Sequence, residues 1–306
     1  MRRPWNPRVV QVLRRLRGGH GGGPTRRGPL KGKVVSVEAA VAELVSERCE
    51  VLAVGGMHLQ NNPMAVIYEL IRRERRIGRL VTSPSAALNA DVLIGAGLVD
   101  EVSTSYVGFE HLGLAPCFRR AAESGAVKIE SLDEAAITHA LHAGASGMPF
   151  TALPRGLELS DVPRSSPTSY RTVVDPFTEQ PALLVRAIRP DVAIIHATEA
   201  DERGTAWLAG AAFTDRLMAM ASSKVIVQVE RVVPSEAISR RPAGTTIPGF
   251  LVSAVVESPG GCRPTASHGG YAFDEPAIRD YLRRARTPEG FAEWIAQAVA
   301  APAGAR

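Results

Sequence analysis

The carboxylates that fall near expected strand ends or helix starts, Glu110, Glu134, Glu199 and Glu257, are the first side chains here with chemistry to offer. A carboxylate can attack as a nucleophile or move a proton, and each of these four also has the plainer reading of a solvated side chain. Glycine turns stand at Gly55-Gly56, Gly95-Ala96-Gly97 and Gly260-Gly261, each read as following an apolar strand, where a ligand can approach backbone N–H groups. Ser83 and Ser105 mark two further strand ends. None of the turns is a dinucleotide fingerprint, because the residue three after Gly97 is Asp100. Neither a phosphate-binding lysine loop nor a G-x-S-x-G elbow is present. Cys49, Cys117 and Cys262 are odd in number and far apart, and His139 and His142 are merely neighbours on an expected helix. No disulfide framework and no metal are expected, and a reduced, cytoplasmic setting fits.

The elements that must position these residues alternate helix and strand from Lys33 onward. That order predicts a layered α/β fold with a mainly parallel sheet flanked by helices. Helical spacing of Val37, Val41, Leu44 and Val45 predicts a helix ending near Arg48, followed by a strand over 51–54. Asn61-Asn62-Pro63 reads as a capped start to a second helix, which carries the cations of 72–76 in its last turns. Next come a strand over 80–82, a short helix to Asn89, the apolar run 92–94 read as a strand, and a strand over 102–107. A helix over 118–123 and a strand over 127–129 lead to a helix capped by Asp133 and stopped by Pro149. Residues 152–180, rich in Pro, Ser and Thr, read as a long excursion. Strands over 192–195, 225–229 and 252–256, a helix over 215–221 and two C-terminal helices complete the pattern.

Net charge is +5, from 36 Lys and Arg against 31 Asp and Glu, and its distribution decides what it means. Residues 1–31 hold nine cations and no acid, so the remainder carries 27 cations against 31 acids and is net −4. Residues 1–32 therefore read as a basic extension, set off by the glycines of 18–23, and 33–306 as the folded domain. Neither nucleic acid nor a membrane is an expected partner: the basic stretch has Trp5 as its one aromatic, and no apolar run reaches the roughly 18 residues of a spanning helix.

The order of the motifs resembles a known family. Val54-Gly55-Gly56 with Asn61-Asn62-Pro63, the stretch from Asp91 to Gly97, Ser105-Tyr106-Val107-Gly108 and Pro116-Cys117-Phe118-Arg119-Arg120 carry the resemblance through the first half. His196 to Asp201 with Gly204, Asp215 with Met218-Ala219, and the run from Val225 to Glu230 leading into Arg231-Val232-Val233 extend it. Together they resemble the α subunit of family I coenzyme A transferases, of which the glutaconate and 3-oxoacid enzymes are members. The resemblance spans about residues 33–285.

Such a resemblance implies a CoA-transferase α subunit that shares its active site with a homologous β subunit. A glutamate attacks the acyl-CoA thioester, and CoA returns to make a glutamyl-CoA thioester for the second acid. In that family the nucleophile lies in the β half, in a Glu-Asn-Gly motif. The four asparagines here, Asn6, Asn61, Asn62 and Asn89, never follow a glutamate. The nucleophile is thus expected from a separate β subunit, with the CoA thioester as substrate and no resident cofactor. Glu134 stands where the 3-oxoacid enzymes carry a substrate-contacting glutamine. Related α subunits of steroid-ring-opening hydrolases have a glutamate there that is implicated in C–C bond hydrolysis. Three readings of Glu134 stay open: substrate contact, catalytic base, or first-turn acid favoured by the helix dipole. Gly55 and Gly56 are the expected pocket walls, Ser83 and Ser105 further contacts, and Arg119, Arg120 and Arg263 the basic side chains considered for the CoA phosphates. Hydrolysis of a cyclic acyl-CoA through Glu134 is the alternative activity, and a non-catalytic ligand-binding α/β subunit the third.

Overall fold

The computed structural model describes residues 32–241 and 246–300. The expected basic extension, up to residue 31, lies outside them. In chain order the elements are α1 (Val37–Leu44), β1 (Arg48–Val54), α2 (Met64–Arg72), β2 (Arg76–Thr82), β3 (Ser85–Ala86), α3 (Leu88–Gly95), β4 (Val99–Thr104) and β5 (Tyr106–Val107). Next are α4 (Pro116–Glu123), β6 (Lys128–Ser131), α5 (Glu134–Ala145), β7 (Phe150–Ala152), α6 (Val162–Ser165), β8 (Tyr170–Val174) and β9 (Pro181–Arg186). The chain continues with β10 (Val192–Ala200), β11 (Ala206–Trp207), α7 (Asp215–Ala221), β12 (Lys224–Val232), α8 (Ser235–Ser239), β13 (Ala254–Glu257), α9 (Glu275–Arg284) and α10 (Pro288–Ala300).

The main sheet runs β13-β12-β10-β1-β2-β4-β6 with every neighbour parallel; β11 adds an antiparallel rung to β10. Its central strands carry short apolar runs, Val51–Val54, Val192–Ile195 and Val225–Val227, because both faces are covered there. Leu52 and Val54 enter one core with Ile194, Ile226 and Val256, packed by α1–α4, α9 and α10. Ala53 faces the opposite core with Ala193, Ile195, Val227 and Val255, packed by α5, α7 and the β8–β9 hairpin. After β6 the chain returns to the other side of β1 to form β10, so the direction of winding reverses between β1 and β10. In open α/β sheets ligands bind at the carboxyl ends of the strands beside such a reversal.

Several expected elements need correction. Residues 92–94 are not a strand but the end of α3, whose residues from Leu88 to Ile94 are all buried. A helix buried on every side, with its polar residues buried too, has no amphipathic period to separate it from a buried strand. The turn Gly95-Ala96-Gly97 therefore follows a helix. The stretch 152–180 is no bare excursion: β7, β9 and β8 form a three-stranded antiparallel sheet with α6 between its strands. The strand expected over 102–107 is two, broken at Ser105, with β5 leaving the main sheet to pair with β3. Helix α1 ends at Leu44 and α2 at Arg72, so Arg48 and Arg76 open strands instead. Asn61 and Asn62 do not cap α2, whose first residue follows Pro63 without a side-chain cap.

Candidate functional site

Four loops leaving β1, β2, β4 and β6 converge at the carboxyl edge of the sheet. The first turns at Gly55-Gly56, where every backbone polar group is engaged. Gly55 N–H donates to Ile194 C=O at 2.9 Å, and Gly55 C=O accepts from the Asn89 amide at 3.0 Å. Gly56 N–H donates to Asp215 Oδ1 at 3.1 Å, and its carbonyl accepts from the Ser83 hydroxyl. A Cβ on Gly55 would sit 2.5 Å from Asp215 Oδ1, and one on Gly56 2.5 Å from the Asn61 carbonyl. Gly56 also has φ +84°. The two glycines form a tight, fully bonded wall, and neither N–H is left to hold an oxyanion. Asp215 is buried with this wall, and burial pushes its carboxyl up to about 7.

Ser83 is buried and braces the glycine turn, whereas Ser105 is exposed at the break between β4 and β5. Glu134 is the exposed first residue of α5, beside Asp133, whose carboxylate caps the helix by accepting Ala136 N–H at 2.8 Å. The Ser85 hydroxyl donates to Glu134 Oε1 at 3.4 Å. Ser85 also accepts His58 N–H through its carbonyl at 2.8 Å, which brings the first loop beside the second and fourth. His58 Nδ1 lies 3.2 Å from Glu110 Oε1, an ion-pair distance without hydrogen-bond alignment, and Nδ1 is otherwise buried and unpaired. Tyr106 packs edge-on to the His58 ring, with centroids 6.4 Å apart, and its hydroxyl accepts Glu110 N–H at 3.2 Å. His58, Asn61 and Glu110 all have φ between 50° and 54°. Left-handed backbone is uncommon for non-glycine residues and costs on the order of 1–3 kcal/mol each where it is strained.

The structure thus gathers Glu134 and Glu110 of the four expected carboxylates and leaves Glu199 and Glu257 elsewhere. Glu199 is buried, not solvated: Arg241 Nε donates to it at 2.8 Å and Arg231 Nε at 3.0 Å. Burial alone would raise its pKa, but the two guanidiniums outweigh it and hold the carboxyl below its usual range. Glu257 accepts Val232 N–H at 2.8 Å. The three arginines considered for phosphates are engaged as well: Arg119 pairs with Glu123 at 2.8 Å, Arg120 donates to the Ala285 carbonyl at 2.8 Å, and Arg263 lies over the Tyr271 ring at 4.5 Å. Sequence reasoning points to neither His58 nor Ser85, and it names Tyr106 only as part of the motif Ser105-Tyr106-Val107-Gly108, with no role. The one signal for His58 is a histidine placed two residues after a strand-end glycine pair.

On the metal question, packing brings His196, Glu230 and Cys262 together, with their ligating atoms within 4.8 Å of one another. His196 and Glu230 are already bonded. The His196 nitrogens face Gln228 at 3.1 Å and Ser267 at 3.0 Å, and Glu230 accepts the Tyr271 hydroxyl at 2.8 Å and Gly260 N–H at 2.7 Å. Burial lowers the His196 pKa to about 3, so the ring is neutral. A cation on His196 Nε2 needs the Nδ1–H tautomer, which would turn a donor toward the Gln228 amide nitrogen. These residues fit a polar core better than an ion site.

Comparison with known proteins shows the family. The family model described as "Coenzyme A transferase" matches residues 34–258. An uncharacterised protein of Archaeoglobus fulgidus is 37% identical over 87% of the chain, which spans only 59% of that protein. A 3-oxoadipate CoA-transferase subunit of Pseudomonas knackmussii is 32% identical, with 86% of this chain and 92% of that one aligned. A cholesterol ring-cleaving hydrolase IpdA subunit of Rhodococcus jostii is 30% identical, over 86% and 90%. Among solved structures, a variant of the decarboxylase AibA/AibB superposes with a TM-score of 0.78 at 32% identity, covering 88% of this chain and 98% of that one. The glutaconate coenzyme A-transferase of Acidaminococcus fermentans superposes with a TM-score of 0.79 at 28% identity, over 87% and 88%. The chain belongs to the coenzyme A transferase family.

Proposed function

We propose that this chain is the α subunit of a heteromeric CoA-transferase, moving CoA between an acyl-CoA and a carboxylic acid in a site shared with a β subunit that supplies the nucleophilic glutamate. The observation that carries this reading is the family match, which runs through every strand of the main sheet. The open edge beside Glu134 and Ser85 is where the two subunits would enclose the acyl group. Gly55 and Gly56 form its wall by close approach rather than as donors, Ser83 braces them, and Ser105 lines the rim. Glu134 contacts the substrate. No cofactor is needed, because thioester exchange through a carboxylate is covalent catalysis in which each bond broken is replaced by one of similar energy. The three buried, free thiols suit a reducing, cytoplasmic setting.

The α and β chains purified together should pass CoA from an acyl-CoA to a second acid through a glutamyl thioester that hydroxylamine cleaves and borohydride reduces. Steady hydrolysis without an acceptor acid, and no trapped thioester, would overturn transfer in favour of hydrolysis through Glu134. Turnover by the isolated chain would overturn the shared site.

A further inference from the structure

Transfer of CoA through a partner's glutamate asks no proton of this chain, yet the edge beside Glu134 holds an imidazole, a carboxylate and a phenol built around one another. His58 and Glu110 are 52 positions apart and both adopt left-handed backbone to meet. Backbone strain kept at two facing residues points to a function for the pair rather than to stability, since each residue would relax in an ordinary turn. The scaffold that holds them is fixed at three points: His58 N–H on the Ser85 carbonyl, Glu110 N–H on the Tyr106 hydroxyl, and β3 paired with β5 beneath them. The His58 side chain is 28% exposed although its Nδ1 is buried against Glu110, so solvent reaches other atoms of the ring.

A carboxylate 3.2 Å from Nδ1 favours the tautomer with its proton on Nδ1. The Nε2 lone pair is then free to take a proton, and the same carboxylate stabilises the imidazolium that forms. The N–H is off the line to Glu110, which is usual before a substrate tightens an acid–base site. The charged and titratable groups at this edge are Tyr106 of β5, Glu110 and His111 from the loop after it, and Asp133 and Glu134 at the start of α5.

We propose that His58, oriented by Glu110, exchanges a proton with the carbon α to the thioester of the acyl-CoA bound at this edge. The α C–H bond breaks as Nε2–H forms, and its electron pair moves onto the thioester oxygen as an enolate. The reverse step returns a proton from the imidazolium to the same carbon. Nothing is oxidised or reduced, and in deuterated water the net result is deuterium at the α position. Glu110 is a positioning residue, and His58 is the group that touches substrate. This inference rests on the proposed acyl-CoA site but not on transfer itself.

The test is α-hydrogen exchange of an acyl-CoA in D2O, followed by NMR with the intact αβ enzyme and no acceptor acid. Wild-type enzyme should incorporate deuterium, and His58→Asn should lose the exchange by about 100-fold, within the range general for a removed acid–base group. Asparagine tolerates the left-handed backbone, so thermal unfolding should confirm an intact fold. Added imidazole should restore part of the exchange in His58→Gly. Glu110→Gln should cut the exchange kcat about tenfold and leave the KM for the acyl-CoA unchanged, as expected for a group that positions the base without touching substrate. Wild-type enzyme that transfers CoA without exchanging the α-hydrogens would overturn the inference and leave transfer standing. So would exchange that survives His58→Asn but is lost in Glu134→Gln. Exchange that depends on His58 in an enzyme unable to transfer CoA would instead overturn the transfer reading alone.

Discussion

The carboxyl edge of the main sheet has two halves that treat polar groups in opposite ways. Along β10 and β12, Glu199 near the end of β10 is closed in by two arginines, with Arg241 also lying over Trp207 at 5.0 Å, and the buried His196 in the middle of β10 has a partner at each nitrogen. Beyond β1, β2, β4 and β6, Glu134 is exposed with a long contact to Ser85, His58 faces Glu110 without alignment, and three residues hold left-handed backbone. Buried polar groups stabilise only when satisfied, so the first half resembles a structural lock. The second keeps its valences for something that arrives from outside.

That contrast can be broken most severely at Glu199. Glu199→Ala removes the shared partner of two guanidiniums, both open enough to regain water, and should lower stability by about 2 kcal/mol, read as a fall in denaturant midpoint. If midpoint and slope both hold, the lock is no lock. Glu134→Gln should do the reverse, lowering kcat/KM of the αβ enzyme by roughly 10- to 100-fold while stability moves by less than about 0.5 kcal/mol. Asp215 sharpens the boundary between the halves. Burial raises it to about 7 and likewise raises Asp91 to about 6, so over pH 4–7 the folded chain holds protons that the unfolded chain releases. Their contribution to stability therefore falls as pH rises through that window. Asp215→Asn keeps an acceptor for Gly56 N–H and should gain about 1–2 kcal/mol over wild type at pH 8 but little at pH 5, measured by urea unfolding. An equal gain at both would show that the carboxyl is not buried in its charged form. The smallest effect is expected from deleting residues 1–31, which should leave αβ pairing and turnover unchanged in gel filtration and assay.

Much of the framework was legible because parallel strands buried on both faces carry continuous apolar stretches, and β1, β10 and β12 were readable from theirs, Val51–Val54, Val192–Ile195 and Val225–Val227. Asp133 announced α5 because a capping side chain acts within three residues. The same rule of all-round burial hid α3, which looks like a strand to any periodicity argument. The antiparallel sheet of β7–β9 was hidden by short strands among prolines and serines. Within the site, Glu134 was legible by position, but its meeting with Ser85 was not, since 49 residues separate them. Glu199 misled because the residues that bury it come from β12 and from Arg241, beyond any local signal.

By itself the sequence determined the α/β class, the placing of Glu134 at the start of α5, and the close approach demanded at Gly55-Gly56, because burial, capping and the lack of a Cβ act over a few residues. Only the tertiary structure decided which polar groups are satisfied and which are left to work. That depends on the reversal between β1 and β10, which brings Asp215 onto the glycine wall, and on the pairing of β3 with β5, which sets His58 opposite Glu110.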